Sequence, residues 1–142
     1  MCLILEKDYK AQVAKKDIEC YKIFNIFPYE DTDKLYKSLY RGTKYELGKE
    51  YNSEFTFSGI VKHPCNDGIF QELVPTVEMG LHSYAEIPSH GEYSRFTLSN
   101  LVCCRCIIPK GSTYYVGKFD NATSYASNCI KVIEEVHGVK GW

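Results

Sequence analysis

The stretch Leu101–Ile108, LVCCRCII, constrains this chain more than any other. It is apolar apart from Arg105 and closes on Pro109-Lys110-Gly111-Ser112. A short run of small and β-branched apolar residues, stopped by Pro and Gly, reads as a buried strand. Side chains alternate along a strand, so Val102, Cys104, Cys106 and Ile108 share one face. Leu101, Cys103, Arg105 and Ile107 share the other. Both faces are mostly apolar, which places this strand centrally, with cover on both sides.

The 142 residues suit one domain, 1–142, with 137–142 as a flexible tail. Apolar content of 44% supports a packed core and argues against disorder. Seventeen basic and eighteen acidic residues leave a net charge of −1, which offers no footprint for general nucleic-acid binding. Twelve tyrosines fit two readings: half-buried strands in a β-rich fold, or a recognition surface. Seven cysteines form an odd set, and Met1–Glu6 is too short an apolar stretch for a secretion signal or a membrane span. The expectation is a cytoplasmic protein with reduced thiols and no membrane contact.

Ile18–Phe24 alternates as a strand, with Ile18, Cys20, Lys22 and Phe24 on one side, until Phe27-Pro28-Tyr29 breaks it. Leu35, Tyr36 and Leu39 predict a short helix over 31–40, capped by Asp31 or Asp33. Tyr45–Tyr51 predicts a strand or hairpin turning at Gly48, and Phe55, Phe57 and Ile60 continue an extended region. His63–Gly68 is a loop on turn chemistry. Val74–Tyr84 contains Pro75 and then Met79-Gly80-Leu81-His82-Ser83-Tyr84, a turn followed by a short strand. Residues 92–99 are a short helix or a loop. Thr113–Val116 is a strand, Lys118–Thr123 a loop, and Tyr125–Val136 one last strand. The fold class expected is α+β: a β-rich single domain, mostly antiparallel sheet, with a few short helices.

Cys103-Cys104-Arg105-Cys106 looks like a metal site at first glance. Structural zinc takes cysteine pairs from a tight loop, whereas a strand sends Cys104 and Cys106 one way and Cys103 the other. These read as core cysteines, and neither metal nor cofactor is expected. Gly80-Leu81-His82-Ser83-Tyr84 puts His82 and Tyr84 on one strand face. That pair suits a planar ring, a ribose hydroxyl or a carboxylate. Arg41, in Tyr40-Arg41-Gly42, offers a bidentate phosphate grip. Lys110, in the Pro-Lys-Gly-Ser turn, offers a second phosphate contact or is simply part of the turn. Arg41, His82, Tyr84 and Lys110 are the candidate ligand-binding residues. No Ser-His-Asp order, phosphate-binding glycine loop or carboxylate pair stands out, so no catalytic residue is assigned.

The opening through Cys20-Tyr21-Lys22, Tyr45–Tyr51, Gly80–Tyr84 and Cys106–Tyr115 together resemble an uncharacterised family of small proteins common in gut Bacteroidetes and their phages. The resemblance implies a phage or mobile-element setting and no activity. Tyr40-Arg41-Gly42, with a His and a Tyr further on, faintly resembles the ADP-ribosyltransferases. The later Ser-Thr-Ser pattern of those enzymes is missing, and Glu134 and Glu135 fall late for a catalytic glutamate. The expectation is therefore a small non-enzymatic binding protein for a small, nucleotide-like ligand or a host protein. The alternatives are an NAD-using transferase and a structural protein forming a homo-oligomer.

Overall fold

A computed structural model describes residues 3–5, 9–27, 35–38, 43–62, 72–89, 101–119 and 122–138. They form thirteen strands. In chain order these are β1 (Leu3–Ile4), β2 (Gln12–Val13), β3 (Ile18–Phe27), β4 (Leu35–Ser38), β5 (Lys44–Tyr45), β6 (Glu50–Asn52) and β7 (Thr56–Lys62). There follow β8 (Glu72–Met79), β9 (Leu81–Tyr84), β10 (Leu101–Ile108), β11 (Thr113–Phe119), β12 (Ala122–Ser127) and β13 (Cys129–Glu135). Every pairing is antiparallel, in the order β6-β13-β10-β3-β9-β12-β11-β1-β8-β7. The sheet curls into a half-barrel.

The described residues contain no helix, which corrects the expected α+β class. The helix read over 31–40 fails at Leu35–Ser38, which is β4, paired with both β3 and β5. Spacing of i, i+4 in so short a segment yields too few helical bonds to repay nucleation. Pairing with β3 satisfies the same backbone groups and also buries Tyr36. The other helix candidate, 92–99, lies outside the described residues. The expected last strand is two, β12 and β13, broken at Asn128, whose side chain accepts from Thr113 N at 2.9 Å. The loop read over Lys118–Thr123 is shorter, because β11 runs on to Phe119 and β12 starts at Ala122. Gly48 does turn the chain, at φ 80°, but β5 and β6 do not pair with each other. No helix of the described residues is long and apolar enough to cross a membrane.

The run Leu101–Ile108 is β10, held between β3 and β13 as its apolar faces require. Cys104 and Cys106 pack on one face with Cys20, Phe24, Ile130 and Val132, all essentially inaccessible. The opposite face of β3 and β9 carries Ile23 and Tyr84, packed with Leu101. A third cluster, Leu3, Leu5, Val77 and Ala126, docks the amino-terminal strand.

The sheet forks at β3. One edge of β3 pairs with β10 along its length. The other pairs with β9 at Tyr21 and with β4 from Phe24 onward. Along the β4 branch, the strands β5-β4-β3-β10-β13-β6 curl until their ends meet. The rings of Tyr45 in β5 and Tyr51 in β6 stand edge to face at 4.7 Å, and Glu46 N donates to the Tyr51 hydroxyl at 2.7 Å. Tyr36, in β4, reaches across to donate its hydroxyl to Glu135 of β13. These contacts mark the face carrying Cys20, Lys22 and Phe24 as the inside of the curl.

Candidate functional site

Lys22 occupies the fork. It sits on the inner face of β3 between Cys20 and Phe24, a position that alternation assigns to a core side chain. Between Tyr21, which pairs with β9, and Phe24, which pairs with β4, the two branches diverge. Diverging strands leave backbone groups without ladder partners. The Lys22 ammonium meets that need by donating to the His82 carbonyl at 2.8 Å. Its nitrogen also lies 5.9 Å from the centre of the Phe24 ring and 5.8 Å from that of Tyr45, within reach of both ring quadrupoles.

The side chain is half-buried, and no carboxylate among the described residues pairs with it. Burial holds its ammonium below the usual lysine range, opposed only by Cys106 and Cys20. Those thiols bring little negative charge. Burial pushes Cys20 up to about 12 and Cys106 well above its ordinary value. Burial likewise lifts Tyr45 to about 12, so its hydroxyl stays neutral. The surroundings are therefore a cation, neutral thiols and aromatic rings.

Two further polar groups share the inner face. The register Tyr21↔Tyr84 sets Ser83 alongside Lys22, and the buried Ser83 hydroxyl, without a hydrogen-bond partner among the described residues, lies near the Cys20 thiol. On the other side, the registers Cys104↔Lys22 and Cys104↔Glu135 continue the row to Glu135. Glu135 is engaged already, by the Tyr36 hydroxyl and by His137 Nε2 at 3.2 Å. Burial first, and the bond to Glu135 second, hold the Tyr36 phenol well above its usual value.

The residues picked out from sequence are placed differently from one another. His82 and Tyr84 do share a face of β9, and it is the outer one. His82 is 6% exposed, with Nδ1 3.1 Å from the Gly80 carbonyl and Nε2 3.1 Å from the Val77 carbonyl. Burial, and next the Lys22 charge, lower its pKa to about 4. Tyr84 packs with Ile23 and Leu101, its ring 6.2 Å from Phe119. Lys110 is exposed in its turn, where its backbone N–H donates to Asp17 Oδ1 at 2.9 Å. Arg41 lies outside the described residues. Both ring nitrogens of His82 are thus directed at backbone rather than at a cavity.

Alternation alone places Lys22 on the Cys20 and Phe24 face, although Lys22 is not among the ligand-binding candidates named from sequence. The signal was present, because a lone lysine in the pattern Ile18-Cys20-Lys22-Phe24 puts a charge where a core residue belongs. Five cysteines, Cys20, Cys103, Cys104, Cys106 and Cys129, are free thiols. Among the described residues no group of three or more His, Cys, Asp and Glu side chains could hold a metal ion. No protein-family model, curated protein or solved structure matches the chain.

Proposed function

We propose that this chain is a small, non-enzymatic binding protein that takes an organic anion at the inner face of the curl. Lys22 anchors the anion through the ammonium that the buried Phe24 and Tyr45 rings flank. The supporting observation is the ammonium itself, half-buried, with one hydrogen bond and no carboxylate partner among the described residues. A partly desolvated cation is costly until an anion offsets it, and among the described residues one of its three N–H groups is committed, to the His82 carbonyl. The raised thiol pKa values favour binding over nucleophilic catalysis, because the thiolate is the reactive form.

A thermal-shift series with aromatic and aliphatic monocarboxylates, each beside its uncharged amide, tests this reading. A carboxylate held at 100 times its dissociation constant adds about 2.7 kcal/mol to stability. The carboxylates should raise the melting temperature, the amides should not, and Lys22→Met should abolish the difference while retaining the far-ultraviolet spectrum of a folded sheet. Equal shifts for acid and amide, or an undiminished shift in Lys22→Met, would refute the assignment.

A further inference from the structure

The edge of β11 carries a second feature, separate from Lys22. Both β1 and β2 pair with that edge, β2 at Thr113 and Tyr114, and β1 at Lys118. Leu3 and Ile4 lie close against Gly117, and Tyr115 packs against the cluster of Leu3 and Leu5, while Val116 stays exposed. Beside the β2 pairing lies a cleft of about 430 Å³, lined among the described residues by Tyr9, Lys10, Gln12, Val116, Gly117, Lys118 and Thr123.

The polar side chains of this cleft are arranged as donors. Lys10 is exposed and has no partner among the described residues. Lys118 Nζ donates to Thr123 Oγ1 at 2.8 Å, which leaves the threonine proton and the remaining ammonium hydrogens without an acceptor among the described residues. The Gln12 carbonyl oxygen accepts from the Tyr114 hydroxyl at 3.0 Å, which leaves its amide hydrogens to give. No carboxylate among the described residues lines the cleft. Tyr9, 42% exposed, and Val116, 37% exposed, add apolar surface beside these donors. Two ammonium groups, an amide and a hydroxyl suit a group with two negative charges and several acceptor oxygens. A phosphate monoester is such a group, and a carboxylate offers only one charge and two oxygens.

We infer that this cleft is a binding site for a small phosphate monoester with a flat or apolar body, the phosphate held by Lys10, Lys118, Gln12 and Thr123. The site does not depend on Lys22. Titration calorimetry with adenosine monophosphate, inorganic phosphate and adenosine tests it, with amide chemical shifts recorded at Gly117 and Thr123. Adenosine monophosphate should bind at least tenfold more tightly than adenosine, phosphate should compete with it, and both amides should shift. The double variant Lys10→Gln, Lys118→Gln changes exposed side chains, so it keeps the fold, and it should lose at least tenfold in affinity. Lys22→Met should bind as the wild type does. Equal binding of nucleotide and nucleoside, an unaffected double variant, or loss of nucleotide binding in Lys22→Met would overturn the proposal. Binding of a single-stranded oligonucleotide without binding of the mononucleotide or phosphate would overturn it also.

Discussion

Acidification should weaken this fold through His82 before carboxylate protonation dominates. In the folded chain both ring nitrogens face backbone carbonyls, of Gly80 and Val77. A neutral imidazole has one N–H and can donate to only one of them; an imidazolium would satisfy both. Those two bonds raise the pKa, but burial and the nearby Lys22 charge act more strongly and bring it down to about 4 from an ordinary 6.5. The unfolded chain therefore binds a proton near pH 6.5 that the folded chain refuses until about pH 4. Between those values the unfolded state carries more protons, so stability falls as pH falls. A gap of that size corresponds to a loss of about 3 kcal/mol across the window, complete once the pH is below the folded value. Such a loss is a large part of the roughly 5–15 kcal/mol that holds a domain together.

Urea unfolding at intervals from pH 7.5 to pH 4 measures the effect, and His82→Gln isolates it from the carboxylates, which titrate in both proteins. The wild-type stability should drop more steeply than that of His82→Gln between pH 6.5 and pH 4. Lys22→Met removes the repelling charge, so it should raise the His82 pKa and shrink the loss. Parallel pH profiles in wild type and His82→Gln would refute the reasoning. So would a His82 ring titrating at or above 6.5 by nuclear magnetic resonance, which would mean that the two carbonyls outweigh burial.

Three further outcomes follow from the packing. Phe24 is fully buried beneath the rings of Tyr36 and Tyr45, so Phe24→Ala should cost about 3–5 kcal/mol in chemical denaturation. A β-carbon at Gly117 would run into the Ile4 carbonyl and the Leu3 side chain, so Gly117→Ala should destabilise by about 1–3 kcal/mol through displacement of β1. Of the five free thiols described, Cys129 should be alkylated first by iodoacetamide in the native state. It is half-buried, while Cys20, Cys103, Cys104 and Cys106 are buried, and peptide mapping against time would reveal the order.

Period-two patterning alone determined much of the sheet. The run Leu101–Ile108 identified a central strand and sorted its cysteines between two faces, because alternation in an extended chain needs no knowledge of neighbours. The same rule put Lys22 beside Cys20 and Phe24, and the glycine at 48 marked a turn. Partner choice was not legible. Leu35, Tyr36 and Leu39 satisfy a helical spacing as well as a strand, and only the presence of β3 and β5 on either side made β4 a strand. Residue type marked His82 and Tyr84 as ligand-binding candidates, but whether a polar side chain meets a cavity or a backbone carbonyl depends on strands distant in sequence. The carbonyls of Val77 and Gly80 flank the two nitrogens of the His82 ring, while the fork between β4 and β9 leaves the Lys22 ammonium inside the curl without a carboxylate among the described residues. A charge pattern is local, and its compensation is set by the tertiary fold.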